Sequence, residues 1–214
     1  MAIIERFTRP AIPIDRSLEF DESAWPDDFA APPVGRISRA APPVGRLSIS
    51  GDSRLTSVGT AFLVGPRLAF SASFAVKTVT EGAGRDVRYR DHRRLVLEFI
   101  SGDTVDVTGV AFLHPFFRIA LLELAADGMA ADPLVSAATT PEDLRGREVA
   151  LISCAAQDAR NDLGDIARIY GEGLEKKYFV QPGRVLQIGE LSHGTDAPGL
   201  LHDCSSLGGR AVPR

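Results

Sequence analysis

Residues 57–76, with the sequence SVGTAFLVGPRLAFSASFAV, decide the fold that we predict for this 214-residue chain. Two apolar runs, at residues 60–64 and 68–71, flank a Gly-Pro-Arg turn at residues 65–67. Short apolar runs joined by such a turn are typical of a tight antiparallel hairpin with one well-buried face. The segment therefore predicts two paired strands, followed by a Ser-Ala-Ser-Phe corner that ends at Phe74.

Further strands are predicted downstream of this hairpin. LVLEF (residues 95–99) and VDVTGVAF (residues 105–112) alternate apolar and polar residues on either side of a turn at Gly102, which indicates another strand pair. The apolar run at residues 119–122, within FFRIALLEL, continues past Glu123 to Leu124, and residues 119–124 are therefore predicted to form a buried strand. These segments predict several neighbouring β-strands in the first half of the chain.

The composition is that of an ordinary globular protein, with 44% hydrophobic and 24% charged residues. A net charge of −4 gives no overall attraction to nucleic acid or to anionic membranes. The first ten residues lack the apolar core of a secretory signal, and no later run approaches the roughly 18 apolar residues of a membrane span. Cys154 and Cys204 are too few for a disulfide scaffold, so we expect reduced thiols in a cytoplasmic protein without a membrane partner.

Residues 1–43 hold seven of the fourteen prolines. Proline interrupts helices and sheet ladders and favours extended or polyproline II backbone, so we predict an N-terminal arm. The hexapeptide APPVGR occurs twice, at residues 31–36 and 41–46. Because stacked repeats need about three or more copies, we interpret the pair as a local duplication of one strand start rather than as a solenoid.

The arm also contains an acidic and aromatic segment, LEFDESAWPDDF, at residues 18–29. Its aromatic residues Phe20, Trp25 and Phe29 could form a docking peptide for a partner protein, or they could pack on the chain's own domain. Large aromatic side chains generally find local burial, which favours the second interpretation.

A run of arginines lies between two of the predicted strands, at residues 85–94. Arginines interleaved with an aromatic residue, here Tyr89, could contact phosphates and stack on bases. Asp86 and Asp91 dilute this charge, so a solvated loop is the favoured interpretation and nucleic acid is not expected as a partner. The arginines of the run are Arg85, Arg88, Arg90, Arg93 and Arg94.

Taken in order, these segments resemble the trypsin-like, chymotrypsin-fold serine peptidases. In that family, the corner after the first hairpin ends in the histidine that serves as general base, and a later Asp-Ile-Ala-Leu-Leu strand carries the aspartate that orients it. Those positions here hold Phe74 and Arg118. HDCSSLGG, at residues 202–209, resembles the nucleophile loop of the bacterial glutamyl-endopeptidase-like branch, with Ser206 in place of threonine. The nucleophilic serine beyond this loop corresponds to Ala211.

The resemblance covers residues from about 44 to 214 and implies an all-β fold of two six-stranded-type antiparallel barrels. A D-x-R-N segment and a Gln-Pro-Gly turn, at residues 158–161 and 181–183, match the same branch. We expect a second barrel that is incomplete at the C-terminus, as in a truncated or frame-disrupted peptidase or in one that takes strands from a partner. The implied domains are an N-terminal arm (1–43), a first barrel (44–124), a crossover linker (125–146) and a second barrel (147–214).

The resemblance also implies that the chain is catalytically inactive. Loss of the nucleophile or the base costs on the order of 10⁶-fold in turnover, and here all three triad positions are replaced. Backbone N–H groups of Gly209 and Ala211 could still form an oxyanion-type pocket, with Ser205 at the base of the specificity pocket. The predicted function is a binding or regulatory module with a protein or peptide partner, and no cofactor or metal is expected.

Two other functions remain open from the sequence. One is an active hydrolase with a non-standard nucleophile, either Ser206 or Cys204, which would share a strand face with His202. The other is nucleic-acid contact through residues 85–94. Metal binding by His202, Asp203 and Cys204 is not expected, because three consecutive side chains of a strand cannot all face one ion.

One structural hypothesis concerns the replaced triad positions themselves. If Phe74 and Arg118 face each other, the guanidinium could lie over the ring and take the place of the imidazole–carboxylate contact.

Overall fold

About half of the described residues lie in β-strands, and far fewer lie in helices. The computed structural model describes residues 9–50, 57–90, 93–115, 117–125, 131–135, 141–154, 163–171, 178–190 and 198–205. The strands are β1 (Ile12–Ile14), β2 (Val44–Ser50), β3 (Gly59–Gly65), β4 (Leu68–Ala72), β5 (Thr80–Ala83), β6 (Asp86–Tyr89), β7 (Arg94–Phe99), β8 (Thr104–Leu113), β9 (Ile119–Leu124), β10 (Glu148–Cys154), β11 (Tyr178–Glu190) and β12 (Pro198–His202).

The helices of these described residues are short. They are α1 (Val34–Ala40), α2 (Ser73–Lys77) and α3 (Leu163–Tyr170), with 3₁₀ turns at Glu22–Ala24 and Pro141–Leu144. Within the part of the chain that the structure describes, none has the length and apolar character needed to cross a membrane. The chain divides into two compact units, one formed by residues 38–136 and the other by residues 1–37 together with 137–214.

Six strands of the unit formed by residues 38–136 close into a barrel, in the order β2-β3-β4-β9-β8-β7. Each neighbouring pair is antiparallel. Period-two alternation turns Leu63, Leu97 and Leu122 fully into the core, and burial of each such side chain stabilises the barrel by about 2 kcal/mol. The predicted all-β fold is confirmed, and the pairs β3-β4 and β7-β8 are the hairpins expected from the sequence.

Part of the arginine run lies in strands, whereas we expected a solvated loop. Strand β6 pairs with β5 and contains Arg88, while Arg94 begins β7. A bridge between Gly84 and Leu113 holds this β5-β6 hairpin against β8. The arginine side chains of the run are nevertheless exposed, as the pattern of charges predicts.

Strand β11 is the centre of the other unit. Strand β10 pairs with one edge of it over residues 148–154, while β1 and β12 pair with residues 178–180 and 185–190 of β11. Helix α3 packs over this sheet through Ile166 and Ile169, which lie in one buried cluster with Phe179.

The predicted N-terminal arm is only partly extended. Its residues 12–14 form strand β1 of the sheet, and residues 34–40 form helix α1. Helix α1 differs from the predicted extended arm because Pro32 and Pro33 lie directly before its first residue, Val34, where a missing N–H breaks no intrahelical hydrogen bond. Trp25 and Phe29 are buried, as the favoured interpretation of the acidic segment predicted.

The two APPVGR copies adopt different structures, so their interpretation as two equivalent strand starts is wrong. The first copy enters helix α1, and the second enters strand β2. The space around the shared glycine differs accordingly. A Cβ on Gly45 would lie 2.6 Å from Leu97 Cδ1, whereas a Cβ on Gly35 would meet nothing within 4 Å.

These glycines give a matched test of the packing. We expect Gly45→Ala to lower the free energy of unfolding by about 1 to 3 kcal/mol, because the added methyl overpacks the barrel wall. We expect Gly35→Ala to be neutral or to stabilise by up to about 1 kcal/mol, because it removes a glycine from an exposed helix. Thermal unfolding followed by circular dichroism checks both variants, and equal effects would contradict the assigned structures.

Candidate functional site

The base and orienter positions of the predicted triad lie at the same corner of the barrel. Strand β4 ends at Ala72, which is paired with Ile119 at the start of β9. The next residue on one side, Ser73, donates its backbone N–H to the carbonyl oxygen of Arg118 at 3.0 Å. Phe74 follows within the first turn of α2. The backbone therefore brings residues 74 and 118 next to each other.

The side chains at these two positions do not form the stack that we hypothesised. Phe74 is 37% exposed and Arg118 is also exposed. Among the described residues, the guanidinium groups that lie over aromatic rings belong to Arg9, Arg94 and Arg184. Arg118 keeps its charged end in water instead, which avoids the cost of desolvating an unpaired charge.

His114 is a neighbour of this corner to which the sequence gave no role. Its backbone N–H donates to the carbonyl oxygen of Ile119, and its Nδ1 accepts the backbone N–H of Phe117 at 2.8 Å. The His114 and Phe117 rings are 4.3 Å apart. In the neutral ring that accepts at Nδ1, the proton is on Nε2. In the sequence, only the place of His114 at the end of a predicted strand could have indicated these contacts, and a histidine that merely packs there has the same sequence pattern.

The third triad position lies outside the described residues. This holds for Ala211, for Gly209 of the expected oxyanion pocket and for Ser206. It holds also for Asp158, Arg160 and Asn161 of the D-x-R-N match. Ser205, the expected pocket base, is described and is half-buried. The nucleophile and oxyanion assignments therefore stay predictions.

The carboxylate of Asp203, two residues before Ser205, contacts both Arg184 and Arg9. Its Oδ1 accepts the backbone N–H of Arg184 at 2.5 Å, and its Oδ2 lies 3.0 Å from Nη1 of Arg9. Burial by itself would raise the pKa of Asp203, but the Arg184 N–H and the Arg9 guanidinium together hold this pKa below its usual range. The sequence did not connect Arg9 with Asp203, because nothing in their spacing links the two ends of the chain.

Phe29 ties the N-terminal segment to the same sheet. The guanidinium of Arg9 lies 4.8 Å from the centre of its ring, and that of Arg184 lies 4.4 Å from it. Arg184 also reaches Oδ2 of Asp28 at 3.2 Å and Oε1 of Glu148 at 3.3 Å. Cation–π contacts of this kind contribute about 0.5 to 2 kcal/mol each.

Cys204 has the properties of a packing residue. The thiol is buried, and a Cβ on Gly183 would lie 2.5 Å from its Sγ. Burial, with a further contribution from the charge of Asp203, raises the pKa of Cys204 to about 11. The thiol is therefore protonated near neutral pH and is a weak nucleophile.

The proposed partner of this thiol is not engaged with it. Strand β12 ends at His202, so His202 and Cys204 do not share the face of one strand. Nδ1 of His202 is buried and has no hydrogen-bond partner. In the described part of the chain, no three His, Cys, Asp or Glu residues are grouped so that they could hold a metal ion.

Tyr89, the aromatic residue of the arginine run, is occupied by the barrel. Its hydroxyl donates to the carbonyl oxygen of Val107 at 3.1 Å, and the guanidinium of Arg94 lies 5.1 Å from the centre of its ring. Burial raises the pKa of Tyr89 to about 12, against a smaller opposing effect of Arg94. A ring held in this way cannot also stack on a nucleic-acid base.

Comparison with solved structures places this geometry among known folds. The chain is similar to the HtrA-type protease AlgW with decapeptide, with a TM-score of 0.51 and 15% sequence identity over 78% of this chain and 50% of the AlgW chain. The fold is that of trypsin-like serine proteases. Two further AlgW structures, both with a tripeptide and one an S227A variant, also match at 15% identity, with TM-scores of 0.47 and 0.48.

The similarity to these proteases is at the level of the fold. The chain spans half the length of the AlgW chain that it matches. No protein-family model matches the sequence, and no curated protein matches it. The resemblance inferred from the sequence was correct at the level of the fold, while the glutamyl-endopeptidase-like branch remains a prediction.

The Asp203 contacts give a test that depends on pH. We expect Asp203→Asn to lower the free energy of unfolding at pH 7 by about 1 to 2 kcal/mol, because the ion pair with Arg9 is lost. Since the pKa of Asp203 is depressed in the folded state, this difference from the unsubstituted protein is complete above about pH 4 and shrinks as the pH falls further.

Urea unfolding at several pH values measures this difference. Trp25 is the only tryptophan and lies in the same unit, so its fluorescence reports the relevant transition. Asp27→Asn is the matched control, because Asp27 is an exposed carboxylate of the same unit, whose unfolding Trp25 also reports. An equal loss in both variants would contradict the role assigned to Asp203.

Proposed function

We propose that this protein is a trypsin-like serine-protease homologue without peptidase activity, which acts as a binding or regulatory module. The observation that carries the proposal is the pair Phe74 and Arg118 at one corner of the barrel. In the trypsin-like peptidases that the sequence resembles, these positions hold the general base and the residue that orients it.

The chemistry at this corner does not support proton transfer from a nucleophile. A phenyl ring has no ionisable nitrogen, so Phe74 cannot accept a proton. The guanidinium of Arg118 offers N–H donors and no acceptor, so it cannot orient a base as a carboxylate does. A binding pocket that kept its oxyanion donors would retain on the order of 10³- to 10⁴-fold over the uncatalysed reaction, far below a working triad.

A substitute nucleophile has little support. Cys204 is buried, its pKa is raised to about 11, and His202 makes no hydrogen bond to it. The proposal therefore treats Cys204 as a structural residue. Its tight contact with the backbone at Gly183 gives a sufficient reason for a small, weakly polar side chain at that place.

The proposal extends to the kind of partner and to the location. We propose a peptide or protein partner for this chain, and the AlgW structure that it matches over half of the AlgW length is one with a decapeptide. Both cysteines are free in the structure, and free thiols are maintained in reducing compartments, which supports a cytoplasmic location. Descent from the glutamyl-endopeptidase-like branch is part of the same proposal.

A turnover measurement tests the central point. We expect the purified protein to hydrolyse a fluorogenic peptide library no faster than buffer and to leave a fluorophosphonate probe unattached. Cys204→Ala and Ser206→Ala are measured beside it, with Trp25 fluorescence as the check on folding. Turnover that is present in the unsubstituted protein and lost in either variant would overturn the proposal in favour of a non-standard hydrolase.

A further inference from the structure

The corner that carries the replaced triad positions is an exposed apolar surface. We define the apolar corner as Phe74, Phe117, Arg118 and Ile119. Its three apolar members are 37%, 41% and 45% exposed, in that order. Large hydrophobic side chains that remain exposed together, rather than singly, mark interaction surfaces.

The apolar corner continues into a row of large side chains on the outer wall of the barrel. Phe62 on β3 is paired with Phe70 on β4, Phe70 with Leu121 on β9, and Leu121 with Phe112 on β8. Each of these residues has at least one sequence neighbour in the buried core, so by alternation the row lies on the outer face, where Phe62 is exposed and the other three are half-buried. The Phe62 and Phe70 rings are 6.1 Å apart.

A wall of this kind is unusual for an antiparallel barrel in water. Such strands normally alternate between an apolar inner face and a polar outer face. Here β3, β8 and β9 carry large apolar side chains on both faces and β4 carries Phe70 on its outer face, which is the pattern of a sheet that is covered on both sides. The outer wall and the apolar corner therefore form one surface that fits an apolar partner.

Because Arg118 lies in this surface, a partner that covers it must supply a negative charge. No carboxylate of the described residues lies within ion-pair distance of it, whereas Arg9, Arg46 and Arg184 each have an acidic partner. A partner that covers the apolar corner removes water from the Arg118 guanidinium, and the cost of doing so is offset only if the partner supplies an anion.

We propose that the apolar corner and the adjoining row bind a peptide segment of a partner protein in which an acidic side chain lies beside large apolar ones, with Arg118 as the carboxylate-binding residue. This inference rests on the proposed function as a binding module and names the partner's chemistry. An anionic membrane fits less well, because such surfaces attract clusters of several cations and the corner carries one. A symmetric dimer fits less well, because it would place two copies of Arg118 in one interface without a carboxylate.

Panning a phage-displayed library of random dodecapeptides on the whole protein tests this inference. We expect the selected peptides to combine Asp or Glu with Phe, Trp, Leu or Ile. A selected peptide, labelled with fluorescein, is then measured by fluorescence anisotropy. We expect Arg118→Gln to weaken binding about 10-fold, and replacement of the peptide's acid by its amide to weaken it similarly.

The double substitution makes the test specific. If Arg118 binds the acid, Arg118→Gln combined with the amide peptide loses no more than either change alone. Arg88→Gln is the matched control, because Arg88 is an exposed arginine outside the surface, and it leaves binding unchanged. Phe117→Ser, which removes an apolar contact but no charge, weakens the acidic and the amide peptide to the same degree.

Several results would overturn the inference. These are the absence of any enriched sequence class, additive losses in the double substitution, binding to phosphatidylserine vesicles that Arg118→Gln abolishes, and a dimer that Phe117→Ser dissociates. Trp25 fluorescence and circular dichroism confirm that each variant is folded. Peptides that bind but ignore the surface variants refute this inference and leave the proposed function standing, whereas cleavage of the selected peptides refutes the proposed function.

Discussion

The pairing of β4 with β9 is the constraint on which the candidate site depends. These strands are distant in the sequence and adjacent in the barrel, with Leu68 opposite Glu123 at one end and Ala72 opposite Ile119 at the other. The chain therefore leaves β4 at the point where it enters β9. Whatever side chains occupy positions 74 and 118 are brought to one corner by the backbone, before their chemistry has any influence.

This arrangement separates the stability of the scaffold from the chemistry of the site. The barrel is held by inward side chains such as Leu63 and Leu122, which are fully buried. Phe74 and Arg118 are exposed, and substitutions at exposed positions usually change stability by less than about 0.5 kcal/mol. The barrel can thus persist whichever side chains occupy positions 74 and 118. In the function that we propose, the ring and the guanidinium at these positions belong to a surface that binds a partner.

The local sequence predicted those strands whose own residues show the burial pattern, either as alternation between two faces or as an apolar run. Strands β3, β4, β7, β8 and β9 all followed from period-two alternation or from an apolar run. The identical hexapeptide APPVGR shows the limit of such reasoning, because it begins a helix in one place and a strand in the other. The second copy pairs along β2 with β7, where Gly45 leaves room for Leu97, and these two strands are far apart in the chain. The same limit applies to the candidate site. The resemblance pointed to residues 74 and 118, but their exposure and the contact of Arg9 with Asp203 depend on tertiary structure and could not be derived from spacing.

The edge of β11 shows why the N-terminal segment is more than an arm. Strand β1 pairs with residues 178–180 of β11 and β12 pairs with residues 185–190, while Arg9, which precedes β1, forms an ion pair with Asp203, which follows β12. An open stretch of sheet edge would expose unpaired backbone groups. Here Asp203 accepts the N–H of Arg184 through its side chain and donates its own N–H to the Arg184 carbonyl oxygen. Arg9 neutralises the carboxylate of Asp203, which accepts the N–H of Arg184. The N-terminal residues therefore stabilise the sheet both through strand β1 and through this ion pair.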